Sequence, residues 1–267
     1  MADLRYGGKS VGFVPTMGAL HEGHLSLVRT SLAENDITVL SIFVNPTQFG
    51  PQEDLDKYPR QLEQDLAQAE ELGVDVVFAP TAHDMYAEDY CTWVEVEKLT
   101  EGLCGRYRPG HFRGVTTVVT KLFNIVQPDR AYFGEKDYQQ LAVIRRMVRD
   151  LNMPIEIRAH PTVREPDGLA MSSRNLLLTP EHRAVAPALY QALRKAAEAV
   201  RAGASGKEAE AIVRAELAHV PEFKLQYVEA VDPVSLEPKG DQGGTMVLAA
   251  AAFLGDVRLI DNIPIEV

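Results

Sequence analysis

Cysteine and long hydrophobic runs are both scarce in this 267-residue sequence, and each scarcity excludes a class of protein. The two cysteines, Cys91 and Cys104, make neither a disulfide framework nor a zinc-ligand spacing, and they fit reduced thiols. The longest apolar run, "VLAAAAFL" at 247–254, is too short to span a bilayer. The first ten residues, "MADLRYGGKS", lack the apolar stretch of a signal peptide. We therefore expect a soluble, cytoplasmic protein with no membrane partner.

Positive charge is also in short supply, because 38 Asp and Glu residues outnumber 27 Lys and Arg residues and the formal net charge is −11. Such a chain is a poor partner for nucleic acid, and none is expected. Acidic residues are nevertheless missing from 102–128, which contains Arg106, Arg108, His111, Arg113 and Lys121. This segment is either a chance gap in acids or the local positive charge that binding an anionic nucleotide would require.

The first 160 residues have the pattern of a parallel α/β domain. Continuously apolar stretches, which predict strands buried on both faces, lie at 11–16, 37–44, 74–80, 131–136 and 155–161. Helical patterns alternate with them near 23–34, 59–72, 114–126 and 138–150. Repeated strand–helix units indicate a Rossmann-type, doubly wound parallel sheet over residues 1–161. In the second helix we expect Leu62, Leu66, Ala69 and Leu72 to form the buried face and the acids the opposite face.

The pattern changes after Pro161. One helix is predicted from Thr179-Pro180 to about Arg201, and another over 206–218. Three apolar stretches follow, and Gly255-Asp256 between the last two is a hairpin signal. Residues 162–267 are therefore predicted to form a smaller α+β domain with helices and an antiparallel sheet.

Two histidines three residues apart follow the first predicted strand, in "PTMGALHEGH" (15–24). Gly18 allows a tight turn, and a helix beginning near Glu22 or Gly23 would place His21 and His24 at its first turn. Ligands of doubly wound sheets bind beyond the carboxyl ends of the strands, and the positive end of a helix suits phosphate oxygens. A structural capping role for the pair stays open, and so does a zinc site, which would need a third ligand.

Three later segments carry polar side chains that could complete such a site. "FGEKDYQQL" supplies Lys136 and Gln140, "FVNPTQF" supplies Asn45 and Gln48, and "GLAMSSRN" supplies two serines and Arg174. Ammonium, amide, hydroxyl and guanidinium groups suit anionic and hydroxylated ligands. Each segment also has an ordinary explanation, as a surface lysine, an Asn-Pro turn or loop serines.

Together these pieces resemble the pantothenate synthetase (pantoate–β-alanine ligase) family. The matching segments, in order and over almost the whole chain, are "PTMGALHEGH", "FVNPTQF", "YPR", "RPGHFRGV", "FGEKDYQQL" and "DGLAMSSRN". More distantly, "HEGH" and "MSSR" are similar to the HIGH and KMSKS elements of nucleotidyl transferases. One departure is visible, since the family usually has a longer segment, with an initial strand and helix, where this chain has "LRYGGKS" (4–10).

The resemblance implies roles position by position. The implied ATP-binding residues are Met17, Gly18, Ala19, Leu20, His21, Glu22, Gly23, His24, Gly134, Glu135, Lys136, Asp137, Val163, Met171, Ser172, Ser173 and Arg174. Among them the implied catalytic residues are His24 as proton donor, His21, Lys136 beside the phosphates, and Arg174. The implied substrate-binding residues are Gln48, shared by pantoate and β-alanine, and Gln140, with Asn45, Tyr58 and Arg108 as neighbours.

The reaction implied by the resemblance is the ATP-dependent condensation of pantoate with β-alanine to pantothenate, through a pantoyl-adenylate, with release of AMP and pyrophosphate. It also implies a homodimer and Mg²⁺ carried mainly by the ATP phosphates, with no protein ligand assigned. Because water would destroy the acyl intermediate, we expect residues 162–267 to act as a lid. The alternatives are another HxGH nucleotidyl transferase of a small molecule, a nucleotide-binding regulator without turnover, and a zinc hydrolase.

Overall fold

The structure is a computed structural model that describes residues 8–51, 53 and 55–267. The chain divides into two units, described separately below. The first comprises the chain up to Thr100 together with Tyr107–Glu135 and Gln140–Pro161, and the second comprises Glu101–Arg106, Lys136–Gln139 and Thr162–Val267. Residues 4–7 of the N-terminal segment "LRYGGKS" lie outside the described residues. The domain limits 1–161 and 162–267, and the lid role, stay predictions.

The first unit contains a five-stranded parallel sheet in the order β3-β2-β1-β4-β5. Its strands are β1 Val11–Thr16, β2 Ile37–Ile42, β3 Val76–Phe78, β4 Arg130–Gly134 and β5 Glu156–His160. In the centre of the sheet, Phe13 pairs with Val39 on one side and with Ala131 on the other. Continuous burial along β1 and β2 explains why these strands read as unbroken apolar runs.

Helices cover both faces of this sheet. The helices before Pro161 are α1 Glu22–Glu34, α2 Leu62–Leu72, α3 Ala82–Met85, α4 Leu103–Tyr107, α5 His111–Val126 and α6 Tyr138–Asp150, of which α4 lies mostly in the second unit. Phe13 packs in a cluster with residues of α5 and α6, whereas its neighbour Val14 packs in a second cluster with α1 and α2. Because successive strand residues point to opposite faces, these clusters lie on the two sides of the sheet. The doubly wound α/β fold is confirmed.

The buried face predicted for α2 is wrong at Leu62, Leu66 and Asp65, whereas Ala69 is buried as expected and Leu72 packs against the same apolar cluster. Leu62 and Leu66 are exposed, at 46% and 40%, whereas Asp65 and Ala69 are buried. Asp65 tolerates burial because its carboxylate accepts two backbone hydrogen bonds from the segment that follows β1.

The second unit contains a three-stranded antiparallel sheet in the order β6-β7-β8. Its strands are β6 Phe223–Val231, β7 Met246–Leu254 and β8 Val257–Ile265, and its helices are α7 Pro180–Val185, α8 Ala188–Arg201 and α9 Gly206–Ala218. The predicted hairpin between β7 and β8 is confirmed, with Gly255 in the left-handed region at φ 57°. One apolar cluster joins Leu193 of α8, Val213 of α9 and Leu248 of β7. Within the described residues, no helix is long and apolar enough to cross a membrane.

The single helix predicted from Thr179-Pro180 to Arg201 is wrong, because the chain forms two helices there. Thr179 caps α7 as expected, since its hydroxyl accepts a hydrogen bond from the His182 N–H. α7 ends at Val185, and α8 begins only after Pro187. Proline has no N–H group to continue a helical hydrogen-bond ladder, and its ring obstructs the preceding turn.

Candidate active site

The segment between β1 and α1 is held by hydrogen bonds at the carboxyl edge of the parallel sheet. The Thr16 hydroxyl donates to the Ser41 carbonyl oxygen at 2.7 Å and accepts from the Gly18 N–H at 3.2 Å. Gly18 and Ala19 both lie in the left-handed region, with φ 80° and 51°. The next two N–H groups, of Ala19 and Leu20, donate to Asp65 at 2.9 and 2.8 Å. A fixed turn therefore leads from the strand into the helix.

His21 and His24 cap the helix that follows this turn. Nδ1 of His21 accepts from the Gly23 N–H at 3.1 Å, and Nδ1 of His24 accepts from the His21 N–H at 3.4 Å. Their ring centroids are 4.0 Å apart. Because Nδ1 acts as an acceptor in both rings, the neutral imidazoles carry their proton on Nε2, which is then a donor. The pair thus has the capping role left open above, and that role orients two Nε2–H donors.

A zinc site at the histidine pair is not supported by the residues that the structure describes. Their His, Cys, Asp and Glu side chains form no group of three or more that could hold a metal ion.

Asn45 and Gln48 lie at the end of β2, beside Met17. Asn45 caps a 3₁₀ turn, Pro46–Gln48, and donates from Nδ2 to Oε1 of Gln48 at 3.1 Å and to the Gly114 carbonyl oxygen at 3.2 Å. Gln48 donates from Nε2 to the Met17 sulfur at 3.0 Å. The structure therefore brings two predicted substrate residues together with one predicted ATP residue.

Arg108, His111 and Glu53 support the backbone of Gln48. His111 donates from Nδ1 to the Gln48 carbonyl oxygen at 2.8 Å, and the Arg108 guanidinium contacts Nε2 of His111 at 3.1 Å. Arg108 also donates to both carboxylate oxygens of Glu53, at 2.7 and 2.6 Å. Burial alone would raise the pKa of Glu53, but the hydrogen bonds and charge of Arg108 outweigh it and hold that pKa below its ordinary value. Glu53 thus partly neutralises the charge of Arg108, and Arg108 helps to hold the turn that carries Gln48.

The other predicted residues of the first unit are Tyr58, Gly134, Glu135 and Gln140. Tyr58 is buried and meets Phe49 edge to face, with ring centroids 5.9 Å apart. Gly134 ends β4, and Glu135 begins the 3₁₀ turn that leads into α6. Gln140 lies half-buried in the first turn of α6.

In the second unit, β8 supports the remaining predicted ATP residues. Asn262 donates from Nδ2 to the Lys136 carbonyl oxygen at 2.8 Å. The Lys136 ammonium lies 3.7 Å from the Asp137 carboxylate. The preceding strand residue, Asp261, pairs through both oxygens with Arg164 at 2.7 and 2.9 Å.

A short loop containing the two serines adjoins that strand. β8 contacts the 3₁₀ turn Ser173–Leu177, which Ser172 caps by accepting from the Arg174 N–H at 3.3 Å. The Val163 carbonyl oxygen accepts from the Met171 N–H at 3.0 Å. Val163, Met171 and the serine loop are therefore joined by backbone contacts within this unit.

Sequence reasoning missed several supporting residues, namely Glu53, Asp65, His111 and Asn262. His111 lies in the acid-free segment noted above, but no sequence pattern linked it to Gln48, and Asp65 was expected on the exposed face of its helix. The others act across long sequence separations that no local pattern reports.

The fold and these groups define a class of protein: an α/β enzyme with paired histidines at a helix N-terminus beyond the first parallel strand, suited to a phosphate-bearing ligand. Within that class, the chain belongs to the pantoate-beta-alanine ligase family, whose model matches residues 1–264.

Individual relatives agree. The chain is 57% identical over 270 residues to the pantothenate synthetase of Moorella thermoacetica, covering 100% of this chain and 95% of that protein. A crystal structure of the enzyme from Thermus thermophilus superposes with a TM-score of 0.94 at 52% identity, covering 98% of this chain and 96% of that one. The Francisella tularensis ligase, complexed with beta-gamma ATP and beta-alanine, gives 0.82 at 37% identity, covering 98% and 93%. The predicted family and ligase activity are confirmed, and the residue roles stay predictions.

Proposed function

We propose that this enzyme condenses pantoate with β-alanine by way of a pantoyl-adenylate, consuming ATP and releasing AMP and pyrophosphate. The observation that supports it most strongly is the family match over residues 1–264. The capped histidine pair and the Asn45–Gln48 turn, both at the carboxyl edge of the sheet, supply the donors that such a reaction needs.

In the first step, a carboxylate oxygen of pantoate attacks the α-phosphorus of ATP, and the bond to the bridging oxygen of the leaving pyrophosphate breaks. Both reactants are anions, so the enzyme must align them and stabilise the growing charge rather than supply a nucleophile. The Nε2–H groups of His21 and His24 are suited to the phosphoryl oxygens. Lys136 and Arg174 are proposed as further cationic donors. Each such donor is worth about 2–4 kcal/mol in the transition state.

In the second step, the amine of β-alanine attacks the acyl carbon, the bond to the AMP oxygen breaks, and the nitrogen loses a proton. Gln48 offers both a donor and an acceptor, which suits the hydroxyl groups of pantoate and the amino acid. Gln140 is proposed as a pantoate contact. Asn45, Tyr58 and Arg108 hold or border the Gln48 turn.

Mg²⁺ enters with ATP as part of the substrate, where it neutralises phosphate charge. The enzyme is proposed to be a cytoplasmic homodimer, with sedimentation analysis of the purified protein as the test of its dimeric state. Residues 162–267 are proposed as the lid, and protease sensitivity with and without ATP tests that role.

Exchange of labelled pyrophosphate into ATP tests the proposed function. We expect exchange with pantoate present and β-alanine absent, because the first step is reversible and needs only pantoate and ATP. Adding β-alanine should then yield AMP and pantothenate in equal amounts. If exchange were equally fast without pantoate, the result would instead indicate another HxGH nucleotidyl transferase.

A further inference from the structure

Asp65 is a buried carboxylate that the proposed chemistry does not use. It lies on α2 and is 1% exposed. Oδ2 accepts from the Ala19 N–H at 2.9 Å and Oδ1 accepts from the Leu20 N–H at 2.8 Å. A buried carboxylate is costly unless its oxygens are hydrogen-bonded, so these two contacts account for its position.

The segment that Asp65 holds has an unfavourable backbone conformation. Ala19 has φ 51°, a left-handed conformation that residues with a side chain rarely adopt. Gly18 lies so close to Asp65 that a Cβ atom there would be 2.8 Å from Oδ2. Without the carboxylate, two buried N–H groups would lose their acceptor and this backbone could relax.

We propose that Asp65 is a positioning residue for adenylation. By holding the Ala19 and Leu20 amides, it sets the point at which α1 begins and hence where the imidazoles of His21 and His24 meet the phosphates. This inference rests on the proposed function, and it places Asp65 behind the histidines rather than against the reacting atoms.

The variant Asp65→Asn tests this inference with almost no change in volume. An amide has one oxygen and one NH₂ group, so one backbone N–H would face a second donor. We expect kcat for pantoate-dependent pyrophosphate exchange to fall roughly tenfold to a hundredfold, as for a displacement of about 1 Å in a reacting group. The KM for β-alanine in the complete reaction should stay unchanged. In the substrate-free protein, the His21 and His24 ring resonances should shift.

Two control variants separate positioning from stability. Asp75→Asn removes a carboxylate that accepts the Thr38 N–H at 2.8 Å, at the amino end of β2. Ala69→Gly weakens α2 one turn beyond Asp65. Both controls should lower the melting temperature and keep the wild-type kcat at temperatures where they remain folded.

Wild-type kcat in folded Asp65→Asn overturns the inference, and so does an equal loss of kcat in controls of matched stability. If the wild-type protein shows no pantoate-dependent exchange, the proposed function fails separately. The histidine resonances then decide the positioning role on their own, and unshifted resonances in Asp65→Asn would overturn it.

Discussion

Gly114 lies against the backbone of the turn that carries Gln48, and replacing it with alanine should displace that turn. A Cβ atom at position 114 would lie 2.4 Å from the Thr47 carbonyl oxygen and 2.7 Å from Cα of Gln48. Ordinary contacts of a Cβ atom begin at 3.4 Å, so the turn or α5 must move by about 1 Å. Because the contacted atoms belong to the backbone, no side-chain rotation can relieve the overlap.

The expected cost follows from that displacement. Overpacking of this kind costs about 1–3 kcal/mol of stability, and the better helix propensity of alanine returns up to about 1 kcal/mol. We therefore expect Gly114→Ala to lower the free energy of unfolding by about 1–2 kcal/mol. Because the turn carries a proposed substrate contact, kcat/KM for pantoate should fall roughly tenfold to a hundredfold.

Urea unfolding and pantoate-dependent pyrophosphate exchange measure the two effects. Gly102→Ala is the matched control, since a Cβ atom there meets nothing within 4 Å and the backbone is outside the left-handed region. It should leave both quantities near their wild-type values. A Gly114→Ala protein with wild-type kcat/KM for pantoate would refute the role given to the turn.

Three further predictions concern single side chains. Lys136→Ala should slow pyrophosphate exchange by roughly a hundredfold or more while the melting temperature stays close to wild type, and normal exchange would remove Lys136 from the proposed site. Asn262→Ala removes the donor to the Lys136 carbonyl oxygen and should raise the KM for ATP roughly tenfold in the same assay; an unchanged KM would show that this contact does not position the lysine. Glu53→Gln should lower the free energy of unfolding by about 1–2 kcal/mol at pH 7, because it removes the charge partner of a partly buried Arg108. The folded-state pKa of Glu53 lies below its ordinary value, so this stabilisation is present above the unfolded-state pKa and is lost as pH falls through the folded-state pKa. If the difference in free energy of unfolding between wild type and variant grew toward pH 3, the pairing would be contradicted.

The parallel sheet was predictable because buried parallel strands are predominantly apolar, as β1 and β2 are apart from Thr16, Thr38 and Ser41. The α2 face was mispredicted because the burial of Asp65 depends on N–H groups 45 and 46 residues away, which no helical period reports. Pro187 was a local signal for the break between α7 and α8. The helix predicted from the N-cap at Thr179 wrongly continued through that proline.

The location of His21, His24, Asn45 and Gln48 beyond strand ends could be predicted, because parallel strands bring their carboxyl ends to one edge. Their supports did not follow from local sequence. Asn262 reaches Lys136 across 126 positions, and Arg108 reaches Glu53 across 55. Such contacts exist only after the chain has folded, and the sequence motifs give no indication of them.

The fate of the pantoate carboxylate oxygen tests the central claim most directly. With ¹⁸O in that carboxylate, attack on the α-phosphorus followed by release of AMP leaves one labelled oxygen on the AMP phosphate. Mass spectrometry of the products of a complete reaction should therefore find the label in AMP and none in pyrophosphate. Unlabelled AMP, or label in inorganic phosphate formed together with ADP, would contradict an acyl-adenylate route.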